Sequence, residues 1–269
     1  MISKVISVCC QRDQATWQVA SKYVIKNILA AAYELVVPDA EVALFKAISP
    51  ENFQVVGESK YLGSRDLSWL RSKISPGFEQ RAGWYLQQFI KIEAARQGSP
   101  SDINLIWDAD TVPIRKLDFV TEDGKLVYYH SDEFHEPYFA LIHKLLKLEK
   151  IVDFCFIAQS FPVKVAWVNS FCNAIENNFE AHWIDAIVDN IEFRQVSGFS
   201  EYETLGTYFS HNYIAEMRLN HSPWQRMGNS QLGGISLVAG DIDTENLPKY
   251  DFVSFEAWDM DVRKTQLLN

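Results

Sequence analysis

Leu105–Ile106–Trp107–Asp108–Ala109–Asp110–Thr111–Val112 decides how this chain is read. An apolar run ends in two aspartates separated by a single residue. In an extended segment residues i and i+2 point to the same side, so Asp108 and Asp110 are placed to face one ion. A divalent cation held by one or two carboxylates keeps positions free for phosphate oxygens. The tripeptide recurs as Asp241–Ile242–Asp243 and as Asp259–Met260–Asp261. Place in the chain has to choose among the three.

Upstream of the first pair the pattern alternates between strand and helix. Lys4–Cys10 is a Val- and Ile-rich run with Gln11–Arg12–Asp13 as its exit loop. Gln18–Ala32 carries helical spacing. Leu35–Val37 and Val42–Ala47 read as strands around a Pro38–Asp39 turn, and Phe53–Val56 as a further strand ending at Gly57. Arg81–Arg96 is the clearest helix, with Trp84, Tyr85, Phe89, Ile92 and Ala95 recurring near 3.6-residue spacing after Pro76–Gly77. This order predicts an α/β fold with a mostly parallel sheet covered by helices on both faces.

Downstream, Asp123–Gly124 between Phe119–Thr121 and Lys125–Tyr129 is a two-residue hairpin signal, which predicts a smaller antiparallel sheet. Tyr138–Leu148 is an amphipathic helix and Asp153–Ile157 a strand. Val163–Phe179 reads as strand then helix, Trp183–Ile191 as helix, and Ile235–Val238 as a late apolar strand. Ser200 followed by Glu203 has the spacing of a capping box at a helix start. No linker or repeat interrupts the chain, so one compact domain over residues 1–269 is expected.

Composition narrows the chemistry. The 269 residues are 48% hydrophobic and 22% charged, which suits a globular chain with a sizeable core rather than a disordered one. A net charge of −10 argues against nucleic acid as a partner. Eight Trp are compatible with stacking on sugars or bases, although a large core explains them more simply. Cys9, Cys10, Cys155 and Cys172 form no two-residue-spaced pair, so neither a zinc knuckle nor a disulfide framework is expected. No run approaches the length of a membrane span, and the first ten residues lack the pattern of a secretory leader. A cytoplasmic protein without an integral membrane segment is the expectation.

Three stretches together resemble a glycosyltransferase of the GT-A type, in particular bacterial transferase-like proteins of polysaccharide synthesis. They are Arg81–Ala82–Gly83–Trp84–Tyr85–Leu86–Gln87–Gln88, Asp108–Ala109–Asp110–Thr111, and Ser200–Glu201–Tyr202–Glu203–Thr204–Leu205–Gly206. The resemblance implies a nucleotide-sugar-binding half over residues 1–115 and an acceptor-binding half over 116–269. It favours Asp108/Asp110 over Asp241/Asp243, which also follows an apolar run but lies near the C-terminus. It further implies a nucleoside-diphosphate sugar donor, Mg²⁺ or Mn²⁺ on Asp108 and Asp110, and a carbohydrate or small-molecule acceptor. His221 is the expected third metal ligand, with His211 as its rival. Arg12, Lys60 and Arg81 are candidates for the diphosphate or base, since guanidinium and ammonium groups suit phosphate oxygens. Of the adjacent Gln87 and Gln88, the second is expected to face the donor.

Glu201 is the candidate base for an inverting transfer, which needs a carboxylate to take the acceptor proton. Glu203 is assigned to the cap. The acid- and aromatic-rich loop Tyr128–His135, with Gln159 and Ser160, is expected to line the acceptor cleft. Two rival readings follow from the same residues: a catalytically inactive nucleotide- or sugar-binding partner, and a nucleotidyltransferase. The second is disfavoured because Cys9–Cys10–Gln11–Arg12–Asp13 carries no glycine.

Overall fold

A computed structural model describes residues 1–195, 197–235 and 249–259. In chain order the elements are β1 (Ile2–Val8), α1 (Gln14–Asn27), β2 (Ala30–Val37), α2 (Val42–Ile48), β3 (Phe53–Gly57), α3 (Ser59–Leu62), α4 (Leu67–Lys73), α5 (Ala82–Ala95), β4 (Ile103–Trp107), β5 (Thr111–Pro113), β6 (Leu126–Tyr128), α6 (Glu136–Leu146), β7 (Ser160–Lys164), α7 (Val165–Phe179), α8 (Trp183–Val188), α9 (Glu201–Tyr213), β8 (Met217–Leu219), α10 (Gly228–Leu232) and β9 (Phe252–Ser254). The main sheet has the order β3-β2-β1-β4-β7. Its first four strands are parallel, and β7 runs antiparallel to β4.

Period-two alternation divides the core between the two faces of this sheet. Val5, Leu35 and Leu105 point one way, where they pack with Trp17 and Val24 of α1 and Phe45 of α2. Their neighbours Ile6, Val36 and Ile106 point the other way, onto Phe89 and Ile92 of α5, Val168 and Phe171 of α7, and Leu205 and Phe209 of α9. Strands buried on both faces read as continuous apolar runs, which is why β1, β2 and β4 are visible in the sequence. Among the described residues no helix is long and apolar enough to cross a membrane.

Several local expectations change in the fold. Val42–Ala47, expected as a strand, is the helix α2, entered through a 3-10 turn at Asp39–Glu41 and buried through Phe45. The helix expected to run to Ala32 stops at Asn27, because Ala30–Ala32 join the sheet beside β1. Asp153–Ile157 contributes one bridge, Cys155 to Ser131, instead of a strand. The Asp123–Gly124 turn forms, with Gly124 at φ 82° and Thr121 N–H donating to the Lys125 carbonyl at 2.9 Å. The second arm of that hairpin, β6, nevertheless pairs in parallel with β8. The smaller antiparallel sheet is made by β5 and β9, 140 residues apart in the chain. Residues 236–238 of the late apolar run and the Asp241/Asp243 pair lie outside the described residues, as do Met260 and Asp261.

Gly206 lets α9 lie close against Phe156. A Cβ there would stand 2.2 Å from the Phe156 ring. Gly206→Ala gains about 1 kcal/mol in helix propensity but overpacks at a cost of about 1–3 kcal/mol. At so short a separation the upper part of that range applies. The expected outcome is a lower urea midpoint with an unchanged slope, and an unchanged or raised midpoint would contradict this packing.

Candidate functional site

In open α/β sheets, ligands bind beyond the carboxyl ends of the strands where the strand order reverses. Here that point lies between β1 and β4: from β1 the chain moves to β2 and β3 on one side, and β4 returns on the other. The exit of β1 is Cys9–Asp13, and the exit of β4 is Asp108–Asp110. Topology alone therefore brings Arg12 and Asp13 to the aspartate pair. Arg12 is exposed and pairs with Asp13 at 3.0 Å. Asp110 is among the charges that raise the Arg12 pKa, after the Asp13 hydrogen bond that dominates it.

Asp108 is held from behind. Lys91 Nζ lies 2.6 Å from Asp108 Oδ1 and 2.7 Å from Glu201 Oε1, and the Tyr202 hydroxyl donates to the same Asp108 oxygen at 2.5 Å. Lys91 is only 2% exposed and Glu201 4%. Burial alone lowers the Lys91 pKa, but Asp108 and Glu201 outweigh it, so the ammonium is held charged. Burial pushes the Glu201 carboxyl up, with Lys91 opposing. The Glu201 N–H donates to Gln88 Oε1 at 2.9 Å, while Gln88 Nε2 donates to the Trp84 carbonyl. Helices α5 and α9 are thus fastened together directly beneath the aspartate loop.

Asp110 has a different environment. Its carboxyl is pushed well above the usual range by burial first, then by Glu256, Asp108 and Asp13, with Lys91 acting in the opposite direction. The loop carrying it is braced by β9: Phe255 N–H donates to the Asp110 carbonyl at 2.8 Å, and the Thr111 and Ser254 hydroxyls bond at 2.7 Å. Glu256, just past β9, takes hydrogen bonds from Gln159 Nε2 at 2.7 Å and Arg226 Nε at 2.5 Å, and another from the Trp258 indole. Gln159 has φ 56°, a left-handed conformation costing a non-glycine residue roughly 1–2 kcal/mol. Its carbonyl accepts the Asp108 N–H at 3.0 Å. Strain of this kind concentrates where a site is held in one geometry.

The structure redistributes the residues expected from the sequence. Asp108, Asp110, Arg12 and Gln159 come together, and Glu201 and Gln88 lie just behind them. Gln88 is a fastener of α9 rather than a residue open to a donor, because both ends of its amide are used within the protein. Glu201 faces Lys91 instead of an open cleft. Glu203 is capped by Ser200, but its carboxylate does not return to the cap. It takes Lys150 and the Phe156 N–H. Lys60 turns its ammonium to the buried Glu34 at 2.6 Å, which it shares with Lys4 and Tyr61. Arg81 stacks on Trp84, 4.4 Å from the ring centroid, and donates to Ser197 Oγ at 3.1 Å. His211 bonds the Glu149 carbonyl, and His221 bonds His130.

Two participants have no mark in the aspartate motif. Lys91 stands one turn from Gln88 on a helix whose interior is otherwise apolar, and a buried cation demands an anion. Tyr202 lies within a quoted motif, yet only the fold reveals the bond to Asp108.

A family model described as "Family of unknown function (DUF6492)" matches residues 11–237. The chain belongs to this family. No curated protein matches it in sequence. Its fold is similar to that of mouse xyloside xylosyltransferase 1 in the apo form, with a TM-score of 0.51 and 9% identity over 96% of this chain and 99% of that one. The likeness shows a GT-A-type fold. Galactosyltransferase LgtC, crystallised with donor and acceptor sugar analogues, superposes at a TM-score of 0.46, with 9% identity over 94% of this chain and 86% of that one.

Two outcomes follow from the charge arrangement. Lys91→Met strands two carboxylates and is expected to cost roughly 3–5 kcal/mol, and adding Glu201→Gln should recover part of that loss in urea unfolding. Asp110 behaves oppositely. Its folded pKa is raised, so its contribution to stability is complete below the ordinary carboxylate value of about 4 and is lost as pH rises through the folded value. Asp110→Asn should therefore melt above the wild type in chelator, by a margin that opens above about pH 4 and grows toward neutrality. A margin flat with pH would contradict the crowding of Asp110.

Proposed function

We propose that this chain transfers a sugar from a nucleoside-diphosphate donor to a hydroxyl of a carbohydrate or small-molecule acceptor. One observation carries the reading. Two aspartates stand beyond the carboxyl end of β4 at the reversal of strand order, and Asp110 is enclosed among carboxylates with too little positive charge nearby. A site built this way is improved by a divalent cation, which inverts the local charge logic. Among the described residues no three carboxylate, imidazole or thiol groups converge. The ion of this reading is Mg²⁺ or Mn²⁺, bound by one or two carboxylates together with substrate phosphates. Asp108 and Asp110 would hold the ion, which supplies Lewis-acid stabilisation of the departing diphosphate.

The chain's own groups have separable tasks in this reading. Lys91 and Tyr202 orient Asp108. Glu201, sealed against Lys91, balances that charge in place of serving as a base. Arg12, exposed at the exit of β1, is positioned for phosphate oxygens. The rim of Glu256, Arg226 and Trp258 faces the acceptor side, where indole and carboxylate suit a sugar ring and its hydroxyls.

The test is nucleotide binding and turnover with Mn²⁺ or with chelator. Asp110→Asn is expected to keep its fold and to lose transfer by at least about a hundredfold, on the scale of a lost transition-state charge contact. A thermal shift with one nucleoside diphosphate, dependent on metal and on Asp110, supports the donor class. Metal-dependent nucleotide binding without turnover on any acceptor would favour the inactive-partner reading. Pyrophosphate release from a nucleoside triphosphate would favour a nucleotidyltransferase. Wild-type turnover in metal-free Asp110→Asn would overturn the assignment.

A further inference from the structure

Two histidines distant in sequence are brought face to face by a ladder that the aspartate site does not use. Strands β6 and β8 pair in parallel, with Tyr128 opposite Leu219. His130 and His221 each lie two residues beyond that last pair, so the same register sets them opposite one another. His130 Nε2 and His221 Nδ1 are 3.3 Å apart, with the rings inclined at 75°. Two nitrogens bound to one tetrahedral zinc ion at about 2.0–2.1 Å stand about 3.3 Å from each other. The spacing that serves as a hydrogen bond in the metal-free protein is thus also the bite of a metal ion.

The surroundings hold this geometry. The His130 ring rests on Phe154, with centroids 5.7 Å apart, and its carbonyl accepts the Trp224 indole N–H at 2.9 Å. Paired hydrogen bonds of 2.9 Å in both directions join Ser131 to Cys155. Asp132, next to one end of that bridge, and Asp153, two residues before the other, lie on the same two segments. Both carboxylates are exposed and near enough to act on its charge. Burial and His221 nonetheless lower the His130 pKa, favouring the neutral imidazole that ligates. His221 is exposed and lines a cavity of about 330 Å³ with Arg218, Asn220 and Asp118, which gives an ion access from solvent.

We infer that His130 and His221 form a second metal site, selective for zinc or copper(II), with water filling the remaining positions. Imidazole nitrogens suit these borderline ions, whereas Mg²⁺ and Mn²⁺ prefer oxygen sets. Only two ligands are pre-assembled, so binding is reversible and weaker than at a closed structural site. The ion ties the residues after β6 to those after β8. The inference does not depend on glycosyl transfer, and it gives His221 a partner, His130, other than the two aspartates.

The experiment uses the full chain, free of any histidine tag and stripped with chelator. It is titrated calorimetrically with zinc chloride and copper(II) sulfate alone, with magnesium chloride as the control. One equivalent of zinc is expected to bind, copper(II) more tightly, and magnesium not at this site. His130→Ala and His221→Ala should each weaken zinc at least tenfold, while Asp108→Asn/Asp110→Asn retains it. Binding should fade between pH 7.5 and 5.5 as protons compete for the imidazoles. Copper(II) on the wild-type protein supplies an independent readout: its electron paramagnetic resonance should show coupling to two imidazole nitrogens. Zinc binding unchanged in both histidine variants, or abolished by the aspartate variants, overturns the site. So does a copper signal with fewer than two nitrogens.

Discussion

Lys91 is the constraint on which the rest of the site depends. A buried ammonium is expensive unless anions meet it, and here it is met by Asp108 from the strand β4 and Glu201 from the helix α9. Three elements distant in sequence are thereby fixed to one point. Gln88, one turn earlier on α5, fastens the first N–H of α9, so the orientation of Glu201 does not drift. Tyr202 then reaches the oxygen of Asp108 that Lys91 already holds. The pair is worth little as net stabilisation, because desolvation consumes most of the Coulomb gain. Its value is geometric: it leaves one arrangement in which Lys91, Asp108 and Glu201 all meet opposite charge.

The second brace comes from the far end of the chain. Strand β9 pairs with β5 immediately after the aspartates; its last residue, Ser254, meets the Thr111 hydroxyl, and Phe255 just past it donates to the Asp110 carbonyl. Asp251, just before β9, is itself anchored by the Tyr129 hydroxyl at 2.5 Å. Glu256, just after it, is turned toward Asp110 by Gln159 and Arg226. The aspartate loop is therefore clamped by α5 and α9 on one side and by a late strand on the other.

The sequence discloses what is local and periodic. Strands β1, β2 and β4 are legible because burial on both faces leaves mostly apolar runs. The aspartate pair is legible because such a run ends in it. Val42–Ala47 misleads because a short apolar segment has no decisive period, and the 3-10 entry at Asp39–Glu41 is a tertiary outcome. The pairing of β5 with β9 and of β6 with β8 is invisible locally, since each joins segments some ninety or more residues apart. The resemblance implies His221 as a metal ligand, and chemical type suggests Lys60 for the diphosphate or base. Their partners, Glu34 and His130, are chosen by strand register, which composition does not encode. Lys91 was within reach of inference: a lysine one turn from a glutamine on an apolar helix face requires a buried anion.

The two aspartates occupy opposite electrostatic states, and the contrast is the strongest physical argument that the loop is built for a ligand. Asp108 is satisfied within the protein; Asp110 is not. A loop selected only for folding would replace Asp110 with a neutral residue, since its carboxylate faces Glu256, Asp108 and Asp13 with Lys91 too far committed to compensate. The left-handed Gln159 adds a second local cost at the same place. Costs that cluster at the carboxyl end of a central strand, at the reversal of strand order, are what a site tuned to a cationic centre requires. The large apolar core on both faces of the sheet supplies the stability that offsets these local costs.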